Sequence, residues 1–161
     1  SIGYLLGQIK AGVQTVQIFD SWAGDIPIEA RERVVIEPIA AIVRGVRAVY
    51  PNFPVIVFAR GVGGGHAAVA AGTSASAVGV EQDVSLVEVL KGLPSTMAVQ
   101  GNLAPEILLE SNNVIDAATQ KVLEGVPMSR HIFNLGHGIV PQVKPEAVTT
   151  LVKAVRAFDK A

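Results

Sequence analysis

Residues 55–81, VIVFARGVGGGHAAVAAGTSASAVGVE, decide the fold. They open on an apolar run, Val55 to Ala59, too short for a core helix and rich in β-branched residues. A glycine-dense turn follows, Gly61 to Gly65, then an alanine-rich stretch, Gly65 to Ala71, that reads as a short helix. A second apolar run, Ala77 to Glu81, closes the unit. Strand, helix, strand with near-continuous apolar strands is the pattern of parallel strands covered on both faces.

The same unit repeats outward in both directions. Further strand-like runs lie at Thr15 to Asp20, Met97 to Gly101 and His131 to Leu135. Ile28 to Tyr50 carries Val34, Val35, Ile39, Ile42, Val43 and Val46 at spacings of three and four, one face of a helix that Pro38 is expected to kink or split. Pro105 to Leu123 and Pro145 to Phe158 read as two more long helices. Tyr4 to Leu6 and Ser85 to Leu90 also read as helical. Strand and helix alternate about five times, which predicts an α/β fold. Right-handed crossovers leave two architectures, a doubly wound open sheet or part of a (β/α)₈ barrel. A whole barrel takes about 250 residues; 161 residues would supply roughly five of eight units as a single domain over residues 1–161.

Composition narrows the function classes. Half of the chain is hydrophobic and 17% is charged, so a buried aliphatic core is expected. The net charge is −1 with no basic stripe, which gives no case for nucleic acid or anionic lipid. With no cysteine in the sequence, thiolate nucleophiles and cysteine-ligated metals are excluded within it. Its three histidines have no metal-ligand spacing, so no metal site is expected. No apolar run approaches the ~20 residues that span a bilayer. The helical reading of Tyr4-Leu5-Leu6 directly behind Ser1 leads to the expectation that residues upstream are missing.

In both architectures chemistry sits at the carboxyl ends of the strands. After the first strand, Ile18-Phe19-Asp20-Ser21-Trp22-Ala23-Gly24 puts Phe19 and Ser21 on one face, where a hydroxyl beside an aromatic suits a flat organic ligand with polar substituents. The bland reading is that Ser21 and Asp20 bond the turn backbone. After the second, Arg60 to His66 lacks the Lys-Ser/Thr of a P-loop, and a tight turn is the better reading than a phosphate cradle. After the third, Glu81 and Asp83 form either an acid/base pair or, with Ser85, the cap of the next helix; capping is the simpler reading. After the fourth, Pro105 opens a helix behind Ala104, where a capping Asp, Ser or Thr is usual. After the fifth, His137 stands between Gly136 and Gly138, which clear its flanks for close approach of a ligand; its imidazole can donate to a carboxylate, and the bland reading is a histidine in a mobile glycine loop.

Taken in order, Gly3 to Gly24 (GYLLGQIKAGVQTVQIFDSWAG), Pro54 to Gly61 (PVIVFARG), Val99 to Pro105 (VQGNLAP) and His131 to Ile139 (HIFNLGHGI) resemble the uroporphyrinogen decarboxylase family nearly end to end. The resemblance implies the C-terminal part, about five βα units, of a (β/α)₈ TIM-type barrel. It implies a cytoplasmic homodimer that removes the four acetate carboxyl groups of uroporphyrinogen to give coproporphyrinogen, with no metal or organic cofactor. Ser21 matches the family serine that contacts a substrate side chain, and His137 the family histidine that binds substrate carboxylate; Phe19 is expected on the pocket wall. The family's catalytic aspartate, arginine-bearing loop and substrate-binding tyrosine belong to segments before Ser1, so no catalytic residue is expected in this chain, and Asp20 is not the catalytic one. The chain departs from the family pattern at Ala104 (usually Asp), at Glu81-Gln82 (commonly Asp-Trp) and at His66 (usually small or apolar). The alternatives are a truncated porphyrin-binding or functionless partial barrel and, against the absence of cysteine, a relative of the corrinoid methyltransferases.

Overall fold

The computed structural model describes residues 1–158; the last three residues of the expected domain lie outside the described residues. Five parallel strands form one sheet in chain order: β1 (Val16–Asp20), β2 (Val55–Ala59), β3 (Ala77–Gly79), β4 (Ala98–Leu103) and β5 (His131–Leu135). Each of the first four is followed by a helical crossover, and α7 follows β5. The helices are α1 (Ile2–Lys10), α2 (Ile28–Arg31), α3 (Glu37–Arg47), α4 (His66–Thr73), α5 (Leu86–Lys91), α6 (Asn112–Glu124) and α7 (Pro145–Phe158).

Period two divides the strands between two environments. Val16, Val55, Val57, Ala59, Val78, Val80, Val99 and Leu103 face the helices and are nearly inaccessible to solvent. They merge with three patches of helix residues. One joins β1 and β2 to Leu5 and Ile9 of α1 and to Ile39, Val43 and Val46 of α3. A second joins β3 and β4 to Leu86 and Val89 of α5. The third joins Leu103 of β4 to Ile115 of α6 and Leu151 of α7. Aliphatic burial of this kind is the main stabilising term of the fold.

The opposite face is concave. On a flat sheet, β1 and β4 stand three steps apart, about 14 Å. Yet the Gln100 side-chain amide donates to Gln17 Oε1 at 3.2 Å. Two glutamine side chains meet across that span only if the sheet curls tightly toward its inner face. Small residues permit the curl: Ala77, Gly79 and Ala98 point inward, and a Cβ at Gly79 would lie 2.6 Å from the Phe58 ring.

Some elements follow expectation, and several limits depart from it by a residue or more. The helix over 28–50 is split, as expected of Pro38: α2 passes through a π-helical turn, Glu32–Ile36, into α3, which ends at Arg47. Pro38, in the first turn of α3, has no amide to give the i−4 carbonyl, and the Glu37 amide instead bonds Glu32 O, one residue further back. The helix expected over 105–123 is instead a 3₁₀ turn, Pro105–Leu109, an extended Glu110, and then α6. Apolar spacing did not distinguish these arrangements because Leu108 and Ile115 are buried in the same patch either way. β3 stops two residues early, at Gly79, and β4 starts one residue late and runs two residues further, to Leu103.

Candidate active site

At the carboxyl ends of the strands the concave face opens into a cavity of about 450 Å³. Every strand contributes: Gln17, Phe19 and Ser21 from β1 and its turn, Phe58 from β2 and Arg60 just past it, Gly79 from β3 and Val80 just past it, Gln100 from β4, and Asn134 to Ile139 from β5 and its loop. The volume falls in the range of organic-ligand pockets. The three residues singled out by sequence, Phe19, Ser21 and His137, therefore line one cavity, approached from the first and last strands present.

The β1 turn is held by its neighbour residues. Asp20 Oδ1 accepts the Trp22 amide at 3.2 Å, so the bland reading of Asp20 is the one observed. Ser21 itself is exposed on the cavity wall. Phe19 is 64% exposed and meets Phe58 edge to face, ring centres 6.1 Å apart. This pair forms the apolar wall. Gln17, Gln100 and Asn134 supply amides on other walls. On the last loop, the Gly138 amide donates to His137 Nδ1 at 2.7 Å. With Nδ1 accepting, Nε2 of the neutral ring carries the hydrogen and is the donor available to a ligand.

Two backbone contacts fix the loops around the cavity. A Cβ on Gly24 would sit 2.6 Å from Gly61 O, so the β1 and β2 turns touch backbone to backbone. A Cβ on Gly136 would collide with the backbone of Gln82, which seats the His137 loop against the turn after β3. Asn102 ties that turn down from β4, its amide donating to Glu81 O at 2.8 Å and Val84 O at 2.6 Å.

Glu81 and Asp83 do not form an acid/base pair. Glu81 is buried, with Oε2 3.1 Å from His66 Nε2 and Oε1 accepting the Gly61 amide at 3.1 Å. Burial pushes its carboxyl upward, but the bond to His66, the backbone amides and the imidazole's charge outweigh it and hold the group below the usual glutamate value. Asp83 is exposed, and it is Ser85 that caps α5 by accepting the Glu88 amide. Ala104 leaves the 3₁₀ turn after β4 without a side-chain cap. The His66–Glu81 partnership was missed because the two departures lie on different elements. Gln17, Gln100 and Arg60 were missed too; a polar residue at an inward position of an apolar strand was the available signal.

A parallel sheet curled this tightly, sheathed by helices and opening a cavity at its carboxyl ends, defines five βα units of a TIM-type barrel. A methyltransferase from Methanosarcina mazei has the same fold, with a TM-score of 0.79 at 20% identity over 98% of this chain and 46% of that one. In sequence, the family model described as uroporphyrinogen decarboxylase (URO-D) matches residues 1–158, and the chain belongs to that family. Curated relatives named uroporphyrinogen decarboxylase include those of Sphingopyxis alaskensis, 44% identical over 97% of this chain, and Novosphingobium aromaticivorans, 40% identical over 99%. This chain covers 46% and 47% of those two proteins, so it spans about half the length of the curated relatives it matches.

Proposed function

We propose that this chain is a single partial-barrel domain, the C-terminal part of a uroporphyrinogen decarboxylase, and forms the substrate-binding half of its active site. The observation that carries the reading is the convergence of Phe19, Ser21 and His137 on one cavity, in a chain of this family. Uroporphyrinogen is a broad macrocycle rimmed with carboxylates. The Phe19–Phe58 wall suits its apolar face, while Ser21 and the His137 Nε2–H suit its acid side chains.

In the reaction a pyrrole carbon takes up a proton, and the cationic ring then accepts the electron pair of the breaking acetate C–C bond as CO₂ leaves. The exocyclic methylene so formed takes up a proton to become the methyl group, and the ring carbon gives back the proton it first accepted, which restores the pyrrole. A preorganised carboxylate stabilises the ring charge. In this reading that carboxylate comes from outside the chain, the residues here orient the substrate, and no metal or organic cofactor takes part. The whole enzyme is a cytoplasmic homodimer. Among the described residues no helix is long and apolar enough to cross a membrane.

Anaerobic decarboxylation assays test the reading. The chain alone is expected to turn over uroporphyrinogen negligibly; co-expression with the remaining part of a family member restores activity, and Ser21→Ala and His137→Ala depress it. Full turnover by the chain alone, or restored activity indifferent to both substitutions, would overturn it. The second reading, a porphyrin binder without activity, is favoured by the departures at His66, Glu81 and Ala104. It predicts a Soret shift with uroporphyrin and no activity after complementation.

A further inference from the structure

Arg60 is the cation of the cavity wall, and its surroundings are built to hold it there. It lies one residue past the end of β2, two beyond Phe58, and lines the same cavity as that ring. Its amide donates to Asp20 O at 3.0 Å and its carbonyl accepts the Gly24 amide at 2.8 Å. The next amide, of Gly61, donates to Glu81 Oε1 at 3.1 Å. Gly61 has a positive φ of 76° and lies against Gly24, so little slack remains in the turn. Behind it Glu81 Oε2 meets His66 Nε2, both side chains almost wholly buried. The backbone of Arg60 is thus fixed from β1 on one side and from the end of β3 on the other.

The guanidinium itself has no counter-ion among the described residues. Among the described residues the ion pairs are His66–Glu81 and Lys91–Glu88. Glu81, the buried acid behind the turn, is committed to His66 and to the Gly61 amide. An exposed arginine without a partner is ordinary on a surface. One on a rigid backbone, beside Ser21 and within a cavity also lined by His137, presents a fixed fork of donors for a carboxylate.

We propose that Arg60 is a carboxylate-docking residue of this cavity, and that the buried Glu81–His66 pair is its positioning device, acting through the Gly61 amide. The assignment rests on the proposed function and deepens it by naming where one acid side chain of the macrocycle is bound. It also gives one purpose to two departures from the family pattern: His66 and Glu81 are a matched pair, each supplying the other's buried partner.

Titration of the 161-residue chain with uroporphyrin, followed by its Soret band at low and high salt, tests both halves. Loss of a charge-assisted contact predicts that Arg60→Gln weakens binding about tenfold and flattens its salt dependence, with Arg60→Lys in between. Glu81→Ala is expected to weaken binding, and Glu81→Gln, which keeps an oxygen for the Gly61 amide, to restore most of it. In an Arg60→Gln background neither Glu81 change should matter, because the pair acts through Arg60. Wild-type binding with an unaltered Arg60→Gln isotherm and salt slope would overturn the docking role alone. Equal losses from Glu81→Ala in both backgrounds would overturn the positioning role. No Soret shift with the wild-type chain would overturn the proposed function and this assignment with it. Arg60 is exposed, so its variants are expected to fold and decide the docking question even if a Glu81 variant does not.

Discussion

The same five strands present two faces of opposite character. Toward the helices, Val55, Val57, Val78 and Val99 are at most 1% exposed and packed in aliphatic contact. Toward the cavity, on alternate positions of the same strands and just past their ends, stand Gln17, Phe19, Ser21, Phe58, Arg60, Gln100 and Asn134. One residue of shift along a strand carries a side chain from one face to the other. The outer face thus supplies stability and the inner face supplies recognition. Changes on the outer side should register in unfolding experiments, and changes on the inner side in ligand binding.

The largest effect is expected outside the sheet. Ile115 of α6 is fully buried between β4 and α7. Ile115→Ala should lower the unfolding free energy by about 2–5 kcal/mol, from lost burial and the cavity left behind. A urea titration measures it, and a loss under 1 kcal/mol would show that the α6–α7 layer collapses onto the gap. Next is the seam between the faces. Gly24→Ala places a Cβ 2.6 Å from Gly61 O, so one turn must give way, at a cost of about 1–3 kcal/mol. Because Ser21 and Arg60 flank that contact, this substitution should move stability and uroporphyrin affinity together. A change in only one would separate the turns from the site.

The outer face was the more legible in sequence. An aliphatic strand and a helix with apolar residues every three or four positions state their burial directly, and β2 and β5 fall on the expected residues. Where the signal weakened, the limits shifted: Leu108 and Ile115 satisfy one patch whether or not a helix joins them, so the break at Glu110 left no trace in the spacing. The inner face was legible only where chemistry was locally concentrated, at Phe19-Asp20-Ser21 and at Gly136-His137-Gly138. Long-range partnerships were not. Gln17 meets Gln100 from 83 residues away, and His66, at the start of α4, meets Glu81, past the end of β3; only the curl of the sheet and the return of the chain bring them together.

That His66–Glu81 pair lies between the two faces and makes the comparison depend on pH. The Glu81 carboxyl is held below its usual value of 4.5 in the folded state, against an ordinary value in the unfolded chain. A depressed acid stabilises the fold above its unfolded value, and that contribution is lost as pH falls from about there through the lower folded value. Urea midpoints should therefore decline on acidification below pH 4.5, and Glu81→Gln should decline less steeply over that range. Parallel slopes for the two proteins would mean that Glu81 is not the group responsible.

The smallest effect on stability, and the most diagnostic, is expected at Ser21. Its side chain is exposed at the cavity, and the turn around it is held by Asp20 and the Gly24 contact rather than by its own hydroxyl. Ser21→Ala should leave the urea midpoint within about 0.5 kcal/mol of wild type. If the hydroxyl bonds a substituent of the macrocycle, the same change should weaken uroporphyrin binding by about three- to tenfold, the contribution of one ordinary hydrogen bond. A destabilised Ser21→Ala with unchanged affinity would return the serine to the turn, and the inner face would then recognise its ligand through Arg60, His137 and the Phe19–Phe58 wall.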